Sequence, residues 1–286
     1  MEPVVASDPS LRRTVSPARV LIVREGSPVV GPDRLASEEP MEIRAAGPGQ
    51  AAESVAVTLR TPGNDFELAV GFLYTEDLIA SRDDVASVAY CADLGPEEQP
   101  YNIVTVELTR PFDGSALQRN FYATSSCGIC GKASIDQVHL SCARLEPGPV
   151  VAGSTVVALP DRLRAAQRIF EETGGLHGSG LFDAEGKLLS VREDIGRHNA
   201  VDKLVGMSLL AGSTPLSDRV LMVSGRVSFE IVQKGAKAGV PILCAVSAPS
   251  NLAVDTAEDL GMTLVGFVRG GGFNVYTHVE RIDVGA

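Results

Sequence analysis

Alternation of apolar and polar positions at residues 55–59 and 103–108 predicts half-buried strands, and residues 20–22 and 41–44 carry a shorter strand signal. Residues 28–40, between the last two, are turn-rich. Asn64, followed three positions later by Glu67, has capping-box spacing and opens a helix. Leu68, Ala69, Phe72 and Leu73 give that helix its apolar face. The first part of the chain therefore mixes strands with one clear helix.

The second part is more regular. After the Pro147-Gly148-Pro149 break, a helix opened by Pro160 runs through Arg168 to Glu172 and is stopped by Thr173-Gly174-Gly175. Leu181 and Phe182 lead into a hairpin-like turn, Asp183-Ala184-Glu185-Gly186, and a strand at 188–191. Asp194-Ile195-Gly196-Arg197-His198-Asn199 leads into a helix ending at Leu210. Apolar strands at 220–223, 241–246 and 262–267 alternate with helices ending near Ala238 and Leu260, and a further strand is expected at 273–276. Near-continuous apolar strands separated by helices predict a parallel βαβαβ sheet covered on both faces. The fold class is mixed α/β. The expected divisions are a loose tail at 1–17, a smaller mixed N-terminal subdomain at 18–125, a loop and linker at 126–150, and a ligand-binding domain at 151–286.

With 286 residues, 44% hydrophobic and 21% charged, the chain suits one or two domains with a sizeable core. A formal net charge of −11 argues against general nucleic-acid binding, which needs a basic face. The first 26 residues hold arginines but no apolar signal-peptide core, and no apolar run reaches the about 20 residues that span a membrane, so a cytoplasmic protein is expected. Thiols stay reduced there. The five cysteines are odd in number and scattered, which does not resemble a disulfide framework.

The candidate chemistry centres on Ser125-Ser126-Cys127-Gly128-Ile129-Cys130-Gly131-Lys132, two thiols in a Gly-rich turn. One close pair lacks the four ligands of a structural zinc, although a dimer would supply two pairs, so no permanently bound metal is expected. A redox dithiol and a reactive thiol with Lys132 favouring thiolate both stay open. The loops Ser224-Gly225-Arg226, Ser247-Ala248-Pro249-Ser250 and Arg269-Gly270-Gly271-Gly272 would follow the carboxyl ends of the parallel strands, where ligands collect. Helix N-termini beside them, with Arg226 and Arg269, would make an anion-binding rim. Gly175, His177 and Arg197 join that rim only if the fold brings their turns to it. Otherwise they are a helix stop, a satisfied histidine and a helix cap with a surface salt bridge.

These stretches resemble the FdhD/NarQ family. The resemblance runs from about residue 60 to residue 277. It rests on Arg60-Thr61-Pro62-Gly63, the Cys-Gly-Ile-Cys turn, Thr173-Gly174-Gly175-Leu176-His177, Glu193-Asp194-Ile195-Gly196-Arg197-His198-Asn199-Ala200, the Ser224 and Ser247 loops, and Gly266-Phe267-Val268-Arg269. One departure is Thr75-Glu76-Asp77-Leu78, where the family often has Glu-Gly after the helix.

The resemblance implies a cytidine-deaminase-like core without the deaminase zinc site, a homodimer, and a sulfurtransferase. The family accepts persulfide sulfur from a cysteine desulfurase. It passes that sulfur to the molybdenum cofactor in its bis-guanine-dinucleotide form, a bound substrate later inserted into formate dehydrogenase. Cys127 matches the persulfide carrier, and Cys130 either releases the sulfur by disulfide closure or leaves carriage to Cys127 alone. Phe267, Val268, Arg269, Gly270, Gly271 and Gly272 match the cofactor-binding segment. A non-catalytic cofactor chaperone and a dithiol or zinc protein are the alternatives.

Overall fold

A computed structural model describes residues 4–5, 14–91, 100–114 and 142–285. The N-terminal elements are β1 (Val4–Val5), β2 (Val15–Arg24), β3 (Ser27–Ala36), β4 (Glu39–Ala46), β5 (Glu53–Arg60), α1 (Asp65–Thr75), β6 (Val85–Tyr90) and β7 (Ile103–Leu108). The order β1-β6-β7-β4-β5 makes a five-stranded sheet, and β2 and β3 form a separate hairpin. Then come β8 (Val151–Ala152), α2 (Gly153–Ala166), α3 (Arg168–Thr173), β9 (His177–Phe182), β10 (Leu188–Asp194), α4 (Arg197–Leu210), β11 (Val220–Val223), α5 (Phe229–Lys237), β12 (Ile242–Ala245), α6 (Asn251–Leu260), β13 (Thr263–Arg269), β14 (Gly272–Val275) and β15 (Ile282–Asp283). A six-stranded sheet runs β10-β9-β11-β12-β13-β14, with β11, β12 and β13 parallel. The expected mixed α/β fold with its parallel βαβαβ unit is present.

Both faces of the sheet are dry at its central strands β11 and β12. Leu221 and Val223 enter one apolar cluster while Val220 and Met222 enter another, the period of two that a strand imposes. The first cluster is continuous from Met41 and Ile43 of β4, through Leu68 and Leu73 of α1 and Val201 and Leu204 of α4, to Leu243 of β12. The second joins Val156, Leu159 and Leu163 of α2 to the opposite face. Helix α4 is buried nearly all round, as expected of a helix between two layers. It crosses α1 at two glycines. A Cβ on Gly71 would lie 1.9 Å from the Asp202 carbonyl oxygen, and one on Gly206 would lie 1.9 Å from that of Glu67.

Three expectations need correction. Residues 28–40 are not a turn region: Glu25 and Gly26, both at positive φ, make the two-residue hairpin turn, and β3 carries Pro28 and Pro32. A two-stranded hairpin has only edge strands, where the missing proline N–H is tolerated. Helix α2 begins at Gly153, because β8 pairs with β15 just before it, and Pro160 lies inside the helix. At α1, Asn64 is the N-cap but adopts a left-handed conformation and forms no capping box. Asp65 accepts from Gly63 N at 3.1 Å, and Glu67 turns instead to Arg192 of β10 at 2.6 Å.

Candidate functional site

Cys127 and Cys130 lie outside the described residues. The described chain stops at Gly114, beside Glu53, and resumes at Cys142, which packs on the main core. Leu145 then donates its N–H to the Leu260 carbonyl at 2.8 Å.

The carboxyl ends of β11, β12 and β13 share one sheet edge, so Arg226, Ser247 and Arg269 follow neighbouring strands there. Strand β9 runs antiparallel to β11, which places its first residue, His177, at the same edge. The Ser224 N–H donates to the Gly178 carbonyl at 2.9 Å, and the Gly178 N–H donates to Ser224 Oγ at 2.9 Å. A Cβ on Gly225 would lie 3.2 Å from His177 Nδ1 and 3.6 Å from Arg197 Cδ. Two parts of the chain that sequence alone left unconnected, the turn at 173–177 and the turn at 194–199, therefore meet over Gly225. Burial is the main cause holding the His177 imidazole below its ordinary pKa, with Arg197 and His198 pushing the same way, Asp194 opposing them, and Arg226 adding to the lowering. The ring is neutral near pH 7, next to guanidinium groups that are permanently charged.

Arg197 Nε is buried and, among the described residues, has no hydrogen-bond partner. Its neighbour His198 places Nε2 3.1 Å from Ser228 Oγ and 3.1 Å from the Glu230 carboxylate. Burial pushes the Glu230 carboxyl up, but hydrogen bonds from His198 and Ser228 bring it below its usual range. Ser228 and Glu230 were not singled out by sequence. Their signal was a serine two residues before an acid at a helix start, a pattern too common to stand out. Helix α5 starts slightly later than the Ser224–Arg226 loop implied, with Ser228 as N-cap, whereas α6 starts where its loop ends, with Ser250 as N-cap. A parallel bridge between Val227 and Pro249 comes first.

Asp194 corrects the reading of a surface salt bridge. Its carboxylate is fully buried, 2.7 Å from Lys203 Nζ, and accepts from Thr61 N at 3.1 Å, Gly196 N at 2.8 Å and Asn199 Nδ2 at 3.1 Å. It fixes the start of α4, and with it the backbone that carries Arg197.

At the β13 end, Phe267 has φ 53, a strained value for a residue with a side chain. Its N–H donates to the Ser247 carbonyl at 3.2 Å, and the Arg269 guanidinium lies 5.1 Å from the centre of its ring. Val268 is buried in the second core cluster, so its backbone rather than its side chain faces the edge. Gly270 and Gly271, both at positive φ, and Gly272 have open space where a Cβ would stand. Here glycine gives both the turn geometry and room for close backbone approach. Gly175 does not join the His177 group: it is exposed, and a Cβ there would meet Ala36 of β3 at 3.4 Å. Among the described residues, no group of three or more His, Cys, Asp or Glu side chains is placed to hold a metal ion. No described helix is long and apolar enough to cross a membrane.

Known proteins match this architecture along most of its length. A curated relative from Streptomyces avermitilis is 48% identical over 96% of this chain and 98% of its own. One from Mycolicibacterium paratuberculosis is 49% identical over 94% and 99%, and one from Sulfurisphaera tokodaii is 43% identical over 94% and 99%. All three carry the name sulfur carrier protein FdhD. A solved structure from Desulfotalea psychrophila, described as a formate dehydrogenase accessory protein, superposes with a TM-score of 0.72 at 21% identity. It covers 94% of this chain and all of that one, and it shares the fold. The FdhD/NarQ family model matches residues 36–283, and the chain belongs to that family.

Proposed function

We propose that this chain is a sulfur carrier. Cys127 accepts persulfide sulfur from a cysteine desulfurase and delivers it to the bis-guanine-dinucleotide molybdenum cofactor, held as substrate at the sheet edge, before insertion into formate dehydrogenase. The observation that carries this reading is the meeting of His177, Arg197 and Gly225 at one end of an edge whose other end is the open glycine backbone at 270–272. A diphosphate needs N–H donors and fixed positive charge. Arg197, with a buried Nε that no described residue engages, supports that role, as do Arg226 and Arg269. The names of the relatives support the sulfur chemistry.

The transfer can be written in two balanced forms. If Cys130 thiolate attacks the inner sulfur of the Cys127 persulfide, a Cys127–Cys130 disulfide forms and the terminal sulfur departs as sulfide. Two thiols are then oxidised, the zero-valent sulfur is reduced, and a cellular dithiol must regenerate the pair. If Cys127 acts alone, its thiolate leaves as the terminal sulfur bonds to the acceptor, and the sulfur takes its two electrons from that acceptor.

The test is intact mass after incubation with a cysteine desulfurase and cysteine. The wild type should gain one sulfur, Cys127→Ala should gain none, and Cys130→Ala should load but build up the adduct if disulfide closure is the release step. An undiminished adduct in Cys127→Ala would sink the assignment.

A further inference from the structure

His198 lies in the first turn of α4, next to Arg197. Its ring nitrogen Nε2 is 3.1 Å from Ser228 Oγ and 3.1 Å from a carboxylate oxygen of Glu230. The Ser228 hydroxyl donates its proton to that same Glu230 oxygen at 3.0 Å. Nε2 therefore faces two acceptors, a carboxylate and a hydroxyl whose hydrogen is already spent. Only a proton on Nε2 satisfies both, so the neutral ring carries its hydrogen there and its lone pair on Nδ1. Among the described residues nothing hydrogen-bonds Nδ1, and the side chain keeps 15% of its surface exposed.

This order is not that of a nucleophilic triad. There the acid and the serine take opposite nitrogens, whereas here both take Nε2, and Ser228 Oγ is left without a base. What remains is an imidazole with one nitrogen clamped by a carboxylate and the other open. A carboxylate at this distance favours the protonated ring. The Glu230 side chain is nine-tenths buried, and its second oxygen, Oε1, has no hydrogen-bond partner among the described residues. The other charged groups around this end of the edge are Asp194 and Arg197 at the start of α4, His177 of β9 and Arg226 after β11. Beyond Glu230 on α5 stands Lys234, which pairs with Asp202 and Glu76.

We propose that His198 is the general acid of sulfur transfer, giving its Nδ1 proton to the thiolate that leaves as sulfur passes to the acceptor at the sheet edge. This rests on the sulfur-carrier reading and deepens it. A thiolate of ordinary pKa, about 8.5, is a poor leaving group near pH 7. In the form in which Cys127 acts alone, the bond between the Cys127 sulfur and the terminal sulfur breaks as the terminal sulfur bonds to the acceptor, which supplies two electrons. The Nδ1 proton passes to the Cys127 sulfur, giving a thiol and a neutral imidazole, and solvent restores the proton. An acceptor held at this edge obliges the leaving sulfur to come to it. His198 stands there because Arg197, its chain neighbour, meets His177 over Gly225.

The test uses the full chain, loaded with sulfur by a cysteine desulfurase and then freed of that enzyme. It is mixed with the bis-guanine-dinucleotide molybdenum cofactor, and loss of the adduct is followed by intact mass from pH 6 to pH 9. Wild-type discharge should slow as pH rises and the ring loses its proton. His198→Gln should still load but discharge about 100-fold more slowly at pH 7, without that pH dependence. Glu230→Gln should move the fall to lower pH, because the charge that favours the protonated ring is gone. Discharge of His198→Gln at the wild-type rate overturns the proposal, as does an unmoved profile in Glu230→Gln. A wild type that never loads overturns the carrier reading itself, and this proposal with it. Should either variant misfold, nitrogen-15 resonances of the wild-type rings decide: a neutral His198 protonated on Nε2 supports the acid, and one protonated on Nδ1 refutes it.

Discussion

Lys203 Nζ lies 2.7 Å from the Asp194 carboxylate, and both side chains are almost wholly removed from water. Lys203 also donates to the Thr61 carbonyl at 2.8 Å, so the pair ties the turn after β5 to the start of α4. Removing one charge leaves the other buried and uncompensated. Asp194→Asn should therefore cost about 3–5 kcal/mol in urea unfolding, and adding Lys203→Met should recover much of that loss. An unchanged midpoint in the single variant would contradict the buried pairing. Because Asp194 also fixes the backbone before Arg197, the single variant should bind nucleotide more weakly even where it remains folded.

The α1–α4 crossing makes a steric prediction. Gly206→Ala puts a carbon where the Glu67 carbonyl oxygen stands, and only backbone movement can relieve the clash. Overpacking of this kind costs about 1–3 kcal/mol, and the upper end is expected because the obstacle is main chain. Thermal unfolding followed by circular dichroism measures it. A variant as stable as the wild type would show that the helices are farther apart.

His177 gives a pH dependence with a definite sign. Its folded pKa is lowered from the ordinary 6.5, by burial first and then by neighbouring cations. The unfolded chain therefore binds a proton more readily than the folded one in the window below 6.5. This contribution to stability is fully present above 6.5 and is lost as pH falls toward the lowered folded value. Denaturant midpoints measured from pH 7 to pH 5 should fall less steeply in His177→Asn than in the wild type. Parallel curves would mean that the imidazole is not held neutral.

For the sheet edge, Arg197→Ala and Arg269→Ala should each weaken binding of guanosine diphosphate by about 10- to 100-fold, the worth of a charge-assisted hydrogen bond. Raising the salt concentration should narrow the gap to wild type for exposed Arg269 more than for the half-buried Arg197. Calorimetry at two ionic strengths reads both effects. Unchanged affinity in the two variants would remove the anion from this edge.

Much of this was legible in the chain because local signals and tertiary structure agree. Strand 103–108, strand 220–223 and the helix end at Leu210 fall where periodicity and turn residues place them. In the hairpin at 15–36, a strand at 20–22 was read but its partner was missed, because the prolines of β3 mimic a loop and only pairing shows that they sit on an edge strand. At the site, Arg226, Ser247 and Arg269 were readable as one edge, since parallel strands impose a common end. The approach of His177 and Arg197 was not, because it depends on β9 running antiparallel to β11. Nor was the role of Glu76: in the stretch that departs from the family pattern, it joins Thr75 and Asp202 around the buried Lys234 ammonium, at 3.0, 2.8 and 2.9 Å.

The remaining cysteines bear on how cleanly sulfur loading can be read. Burial in the second core cluster pushes the Cys244 thiol up to about 12, and burial is also the main cause raising Cys142, with Lys237 partly opposing it. Thiolate is the reactive form, so both should be slow toward iodoacetamide in the folded chain. Replacing Cys127 and Cys130 leaves three of the five cysteines: Cys91, Cys142 and Cys244. Near pH 8 the folded double variant should take up at most one label quickly, at Cys91, and all three after unfolding in guanidinium. Peptide mapping assigns the labels. Rapid modification of Cys244 in the folded chain would mean that the sheet between α2 and the α4–α6 layer opens to solvent, and the packing that positions the whole edge would need revision.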